Sequence, residues 1–346
     1  MKNKKVTALQ VAGTYIGTVV GAGFASGQEM LQFFVSFGKS GLLGLAAVSL
    51  MFIYFGYIIM DLGLELDASS HLPIVAETGG KVLGRFSDAV ITFFLFGALT
   101  AMIAGSGALF AQEFHLNPLI GSLFMAVITI LTVMSGFDGI IDSISIVVPF
   151  LIIAVVGVSI ASLLTKHSEP DLTVSLPRPL ILRNWLWSAI LYASYNTVPS
   201  ISILAPLGAQ AKNRKVIKKG ALLGGLGLGI GALAIFSALY VNAAEIRDLE
   251  VPMIFVTRRI SPVVRILYAV VLLAEIYTTA VGDLYGFTAR INSKPEYRLR
   301  VILWSTLAAF LASLAGFSNL VKYMYPAVGY CGIITLICLV YHRYRS

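Results

Sequence analysis

Ten long apolar segments constrain the fold of this chain more than any other feature. A helix needs about 20 predominantly apolar residues to cross a bilayer. In lipid only helices and closed barrels satisfy the backbone, and apolar runs of this length form helices. The sequence therefore predicts an all-α polytopic membrane protein with ten transmembrane helices. The predicted spans are residues 6–37, 41–66, 84–114, 118–136, 140–165, 183–208, 217–242, 262–290, 299–316 and 319–342.

The composition excludes a soluble domain. Of the 346 residues 58% are hydrophobic and only 12% are charged, which is too little polar surface to cover a water-soluble fold. The basic start of the chain is not expected to be a signal peptide, because the apolar run behind it carries Gln28 and Glu29 and leads into another span. Cys331 and Cys338 are seven residues apart on one predicted helix, about 10 Å along its axis, so they are expected to be thiols.

The charge distribution predicts the orientation in the membrane. An even number of spans places both termini on one side, and most of the 25 Lys and Arg residues fall on that side. The short segments 211–219 and 290–300 are especially basic, and short loops are where the positive-inside bias is strongest. Both termini are therefore expected in the cytoplasm.

Two halves of five spans each are predicted, residues 1–166 and 183–346, joined by an external connection over 167–182. Because five is odd, the second half enters the membrane with the opposite topology to the first. Several transporter folds consist of two such inverted repeats, with discontinuous helices around a binding site near the bilayer midplane.

The first span carries signals for a break in its helix. Residues 13–27 include five glycines, which weaken a helix interior. Ser26 and Glu29 have the spacing of a capping box, which is typical of a helix start. The sequence therefore predicts that one helix ends and another begins around Gly21, Ala22 and Gly23. The alternative is that the glycines only permit close packing between helices.

The sixth span, the first of the second half, carries a matching signal. Pro199 suits the first position of a helix, and Asn196 or Thr197 could cap it. The alternative is a tolerated proline kink. Two breaks at corresponding places in inverted halves favour a binding site between them.

The segment from Val19 to Glu29, together with the pattern of spans and breaks, resembles the amino acid–polyamine–organocation superfamily, and within it the YkvI-like bacterial permeases. The resemblance implies the LeuT-type fold, a bacterial cytoplasmic membrane location, and a small-molecule substrate bound between helices 1, 3, 6 and 8. Half-helix amino termini would suit the carboxylate of a zwitterion. The expected substrate contacts are Gly21, Ala22, Gly23, Phe24, Tyr192, Ser194, Tyr195, Asn196 and Tyr277.

Helix 8 carries a candidate ion site. Glu275, Thr278 and Thr279 lie at positions i, i+3 and i+4, so they share one helical face. The resemblance implies that hydroxyl residues at this spacing bind Na⁺ together with two helix-1 carbonyls, which fall on Gly17 and Val20. Glu275 replaces a small residue of the family pattern, and a carboxylate inside a membrane is costly unless it has a function.

The choice of coupling ion stays open between Na⁺ and H⁺. Glu275 could bind Na⁺ or carry a proton itself. Predicted helix 5 has no basic residue whose side chain could occupy the sodium pocket in place of the ion. This absence favours Na⁺. Phe24 stands where sodium-coupled relatives have an asparagine for a second ion, so a second Na⁺ is not expected.

Four further residues are predicted to have gating or structural roles: Ser26, Glu29, Pro199 and Asp283. Glu29 is explained by capping, with substrate contact as the alternative. Asp283 is either an inner gate or a partner of Arg290. Residues 245–265 form a mixed-charge external loop that could act as a lid.

No enzyme signature and no phosphate-binding loop occurs in the sequence. The sequence predicts neither an enzyme nor a cofactor beyond bound Na⁺. Besides the substrate, the expected partner is the lipid bilayer, with no nucleic acid and no obligate protein partner. The predicted function is ion-coupled symport of an amino acid or similar small organic solute. The alternative is a receptor that keeps the fold and binds ligand without transport, as germinant-receptor membrane subunits of this superfamily are thought to do. A pure receptor needs no coupling ion, so Glu275, Thr278 and Thr279 favour transport.

Overall fold

The structure is a computed structural model that describes residues 6–68, 70–135, 138–165, 180–291 and 295–345. Apart from an isolated bridge between Val6 and Ala211, the described residues form helices and their connections. The α-helices in chain order are α1 (Ala8–Val19), α2 (Ala22–Ala25), α3 (Gln28–Phe33), α4 (Ser40–Glu65), α5 (Leu72–Phe114), α6 (Pro118–Ser135), α7 (Asp138–Thr165), α8 (Trp185–Ala209), α9 (Arg214–Val241), α10 (Ala243–Ile246), α11 (Pro252–Arg258), α12 (Pro262–Ile291), α13 (Pro295–Ser313), α14 (Phe317–Asn319) and α15 (Tyr325–Arg345).

Helices lie on all ten segments that the sequence predicts as spans, so the prediction of an all-helical fold is confirmed for the described residues. By length and composition, five of them could cross a membrane: Ser40–Glu65, Leu72–Phe114, Arg214–Val241, Pro262–Thr288 and Phe317–Arg345. Three shorter apolar helices cover Pro118–Met134, Phe150–Thr165 and Leu299–Ser313. The chain is a multi-pass membrane protein.

Helix α5 extends beyond its predicted span at the amino-terminal end. Helix α5 begins at Leu72, well before the predicted start of that span at residue 84, and it bends at Gly80, where φ is 63°. Glycine adopts this left-handed conformation without the cost that a side chain would add, so the helix continues beyond the bend. Some predicted features lie outside the described residues: the basic residues at positions 2, 4 and 5, and residues 167–179 of the predicted connection.

The first span leaves the helical conformation twice. Helix α1 ends at Val19; Val20 and Gly21 are extended, with ψ of 112° and −174°, and α2 starts at Ala22. A second interruption separates α2 from α3 at Gly27, where φ is 82°. Both interruptions fall on the glycine-rich segment.

The predicted capping box is wrong. The hydroxyl of Ser26 donates to the carbonyl of Gly23 (3.0 Å) and accepts from the amide of Gln28 (3.2 Å). Ser26 therefore ends α2 rather than starting a helix, and the restart at Ala22 has no side-chain cap. Glu29 consequently has a different role, described below.

The predicted break in the sixth span is also wrong, because α8 is continuous with Pro199 and Pro206 in its interior. The side chain of Asn196 donates to the carbonyl of Tyr192 (3.0 Å), and the Thr197 carbonyl accepts from Ser200 (2.8 Å), so neither residue acts as a cap. Proline removes only its own amide from the helix, and packing against neighbouring helices tolerates this loss. Pro199 is a tolerated interior proline.

Close approach of helices α4, α8 and α9 holds the core together. A Cβ added to Gly208 of α8 would lie 2.0 Å from the carbonyl oxygen of Met60 in α4. One added to Gly224 of α9 would lie 2.6 Å from the ring of Tyr15 in α1. Glycines in α8 and α9 therefore allow close helix packing.

Candidate binding site

A cavity of about 160 Å³ lies beside the interruption between α1 and α2. Five other helices contribute to its wall: α3, α5, α8, α12 and α15. The lining residues are Thr18, Val19, Gly21, Ala22, Gly23, Glu29, Phe94, Leu95, Ala98, Met102, Tyr195, Asn196, Pro199, Ser200, Ser202, Ile203, Thr279, Asp283 and Tyr325.

Glu29 belongs to this cavity and not to a capping box. Its side chain is 5% exposed, and one carboxylate oxygen lies so close to Gly23 that an added Cβ there would be 2.1 Å from it. The hydroxyl of Tyr192 donates to the other oxygen at 3.1 Å. Gly23 therefore gives the carboxylate the space to reach the interrupted segment, and Tyr192 holds it there from behind.

An aromatic cluster forms one side of the cavity. The ring centroid of Tyr195 is 5.0 Å from that of Tyr325, 5.3 Å from that of Tyr192 and 6.4 Å from that of Phe94. The Tyr195 hydroxyl lies near Glu29, but among the described residues it has no hydrogen-bond partner of ordinary geometry. Sequence reasoning missed Phe94 and Tyr325 as individual residues. Only the resemblance pointed to helix 3, and no sequence signal marked Tyr325, which follows the π-helical segment Leu320–Met324.

Helix α12 supplies the polar wall opposite α1. Thr279 and Asp283 line the cavity one turn apart. The Thr279 hydroxyl donates to a carboxylate oxygen of Glu275 at 3.4 Å, and the Thr278 hydroxyl donates to the Glu275 carbonyl at 3.1 Å. Glu275 is 3% exposed, and its second carboxylate oxygen has no hydrogen-bond partner in the part of the chain that the structure describes.

The two predicted carbonyl ligands lie at the end of α1. No backbone amide of the described residues donates to the carbonyl of Gly17 or Val20 outside a helix. Neither residue lines the cavity, although Thr18 and Val19 between them do. The structure thus places Thr279 on the same cavity as the end of α1, whereas Glu275 and Thr278 do not line it.

Four predicted substrate contacts do not line the cavity. Tyr192 contacts it through Glu29, and the other three point elsewhere. Phe24 packs on α9, where a Cβ on Gly231 would be 3.3 Å from its ring. Ser194 donates to the Gly329 carbonyl of α15 at 2.8 Å, and the Tyr277 hydroxyl lies 2.7 Å from that of Thr132 in α6. The reason for Tyr277 is helical geometry: two residues beyond Glu275 is about 200° around the helix.

Asp283 does not pair with Arg290. That arginine contacts Asp88 and His71 instead, and the gating role of Asp283 stays a prediction. The second carboxylate oxygen of Asp283 has no hydrogen-bond partner among the described side chains. Like Glu29, Asp283 brings a buried carboxylate to the cavity wall.

The segment 245–265, which the sequence predicts as an external loop and lid, contacts the interrupted first span. The amide of Met253 in α11 donates to the carbonyl of Ser26 at 3.0 Å. Gln112 of α5 bonds both ways with the backbone of Val251, at 2.8 and 3.1 Å. Helix α11 is therefore tied to both α2 and α5.

Solved structures with the same architecture define the class of fold. The inward-facing conformation of Mhp1 matches with a TM-score of 0.65 at 15% identity, covering 96% of this chain and 75% of that one. MhsT in complex with L-phenylalanine matches with a TM-score of 0.62 at 16% identity, covering 94% and 87%. A Na⁺-coupled sialic acid symporter in a substrate-bound outward-open state matches at 0.56 and 14% identity, covering 96% and 77%. The chain is a membrane protein of the LeuT-type fold.

Sequence relatives define the family. The chain is 31% identical to the membrane protein YkvI of Bacillus subtilis (strain 168) over 356 aligned positions, covering 100% of both proteins. It is 27% identical to the protein YyaD of the same organism over 335 positions, covering 96% of this chain and 95% of that protein. No protein-family model matches. The chain belongs to the YkvI family.

Proposed function

We propose that this protein is a secondary active transporter that couples the symport of a small organic solute to an ion gradient by alternating access. The observation that carries the proposal is the cavity between the non-helical end of α1 and the polar face of α12, with buried carboxylates in its wall. Buried ionisable residues in a membrane protein mark substrate and ion pathways. The fold is shared with proteins described as a Na⁺-coupled symporter and as a complex with an amino acid.

The proposal includes ten spans arranged as two inverted repeats, with both termini in the cytoplasm. Helix packing supports the repeat, because corresponding pairs recur in both halves. The contact of α1 with α9 corresponds to that of α8 with α4. The contact of α5 with α15 corresponds to that of α12 with α7. The contact of α5 with α13 corresponds to that of α12 with α6. Since α8 is continuous, the interruption of the first span is the one discontinuous element that we assign to the binding site.

The proposed ion site comprises Glu275, Thr278 and Thr279 with the carbonyls of Gly17 and Val20. Carboxylate, hydroxyl and carbonyl oxygens are hard ligands suited to Na⁺. The unpartnered oxygen of Glu275 supports a role in binding a cation, since a buried carboxylate needs one. A proton carried by Glu275 is the rival to Na⁺.

Uptake into proteoliposomes of the full chain tests the coupling. We expect Glu275→Gln to abolish stimulation of uptake by an ion gradient while the protein stays folded, because the amide lacks the charge that a coupling cation needs. Glu77→Gln, at an exposed carboxylate on α5, serves as the control and should transport normally. Gradient-stimulated uptake that survives Glu275→Gln would exclude the proposed site.

The same assay distinguishes a transporter from a receptor. Collapse of the Na⁺ gradient, the H⁺ gradient or both identifies the coupling ion. A ligand that binds the purified protein but is never accumulated under either gradient would support a receptor on this fold and overturn the transport proposal.

A further inference from the structure

The charge of the cavity wall restricts what can bind there. Two carboxylates line it, Glu29 from α3 and Asp283 from α12, and none of its lining residues is Lys, Arg or His. Both side chains are at least nine-tenths buried, with relative exposures of 5% and 9%. Two buried carboxyl groups with no basic residue between them need a counter-charge to ionise inside the membrane, and a bound cation would supply it.

The protein itself leaves an acceptor of this pair without a partner. Glu29 receives a hydrogen bond from Tyr192 and has the Tyr195 hydroxyl beside it, whereas one oxygen of Asp283 has no partner among the described residues. Arg290, one of the basic residues on α12, is held by Asp88 and His71. That oxygen of Asp283 is thus available to a ligand that donates hydrogen bonds or carries positive charge.

The aromatic cluster adds a second feature suited to a cation. Tyr195 and Tyr325 line the cavity with ring centroids 5.0 Å apart, and Phe94 lies 6.4 Å from each. Aromatic faces attract ammonium groups, and the attraction is stronger when the site is desolvated. The aromatic rings and the two carboxyl groups line the same cavity.

We propose that the solute is a small organic cation whose charged nitrogen binds between Glu29 and Asp283 against the ring of Tyr195. The assignment rests on the proposed transport function and narrows it: a zwitterion, whose charges cancel, leaves the two carboxylates without a net counter-charge, and an anion is repelled. The cavity of about 160 Å³ limits the ligand to a small amine, because pockets for drug-sized ligands measure about 300–1,000 Å³.

Matched probes that differ in charge but little in shape test the assignment on the purified full chain. One set is choline, betaine and 3,3-dimethylbutanol; the other is propylamine, alanine and propionate. We expect choline or propylamine to raise the melting temperature, because binding to the native state stabilises it by mass action, and the uncharged, zwitterionic and anionic members to have no effect. Stabilisation by betaine, alanine or propionate without stabilisation by either cation would overturn the assignment, and so would no response to any of the six.

Variants locate the binding site of the cation that responds. Glu29→Gln and Asp283→Asn should each weaken its binding at least about tenfold, whereas Glu77→Gln, a carboxylate exposed on α5, should not. Tyr195→Phe keeps the ring and should retain binding, and Tyr195→Leu should lose it. If both carboxylate variants fold normally and bind the cation with unchanged affinity, the site is refuted.

The failure of this inference is distinguishable from that of the proposed function. If a zwitterion or an anion is taken up under an ion gradient and the cations do not bind, the proposed transport function stands and the cation assignment is wrong. If a cation binds but is never accumulated under any ion gradient, the proposed cation site stands and the proposed transport function is wrong.

Discussion

At the scale of single residues, Gly23 and Glu29 form a pair that sequence spacing alone misassigns. The Ser26–Glu29 spacing matches a capping box, but the carboxylate of Glu29 turns back over Gly23. The absence of a side chain at position 23 is what lets a carboxylate lie against an interrupted helix. The pair therefore links the backbone of the first span to the chemistry of the cavity.

Gly23→Ala should disrupt this pair. The added Cβ would lie 2.1 Å from the carboxylate oxygen, so Glu29 must move, at a cost of about 1–3 kcal/mol for overpacking. We expect weaker ligand binding and a lower melting temperature, measured by ligand titration and thermal unfolding in detergent. Gly13→Ala, where no atom lies within 4 Å of the added Cβ, is the control and should bind ligand normally. Equal behaviour of the two variants would contradict the close contact.

At the scale of elements, ionic clusters join the ends of helices. Asp61 of α4 pairs with Arg214 at the start of α9 (2.8 Å) and with Arg343 near the end of α15 (3.3 Å). The sequence alone cannot show which helix ends meet. A second cluster joins His71, Asp88 and Arg290, and so connects the amino-terminal part of α5 with the end of α12.

The cluster around His71 should make stability depend on pH. Burial, and to a smaller extent Arg290, lower the pKa of His71, although the hydrogen bond to Asp88 opposes this shift. The unfolded chain therefore binds a proton more readily than the native one, so the free energy of unfolding should fall as pH drops below about 6.5, the ordinary histidine pKa. Thermal unfolding between pH 5 and pH 8 measures this loss as a fall in melting temperature towards the acidic end.

His71→Gln should weaken that pH dependence, because glutamine does not titrate in this range. His115→Asn is the control, since His115 is exposed and has the left-handed φ of 55° that asparagine tolerates. A pH profile that is the same in the wild type and His71→Gln would show that another group controls it.

At the scale of the whole molecule, the proposed inverted repeat and the charge bias together predict one orientation. Helices α9 and α15 have basic residues at the ends that meet Asp61, and the positive-inside rule places such ends in the cytoplasm. The outer end would then carry α11 and its contacts with Ser26 and Gln112.

Reporter fusions at the carboxyl terminus measure this orientation. A fluorescent protein joined after the last residue should fluoresce, and alkaline phosphatase at the same place should be inactive, because both would lie in the cytoplasm. The same fusions placed in the loop between α9 and α11 should give the opposite result. Active phosphatase at the carboxyl terminus would reverse the proposed topology.

Local properties of the chain explain what the sequence by itself determined. The apolar segments, the helical class and the interruption near Gly21 follow from hydrophobicity and from backbone preference within a few residues. The shared face of Glu275 and Thr279 likewise follows from helical periodicity, and the hydrogen bond between them agrees with it.

Only the tertiary structure decided the composition of the cavity and the continuity of α8. Whether Pro199 breaks a helix depends on the neighbours that pack around it, and whether Tyr277 or Tyr325 reaches the cavity depends on how α6, α12 and α15 are placed. Glu29 lies at the cavity because Gly23 leaves room for it and Tyr192 donates to it. These contacts join residues far apart in sequence, and short-range preferences contain no information about such pairs.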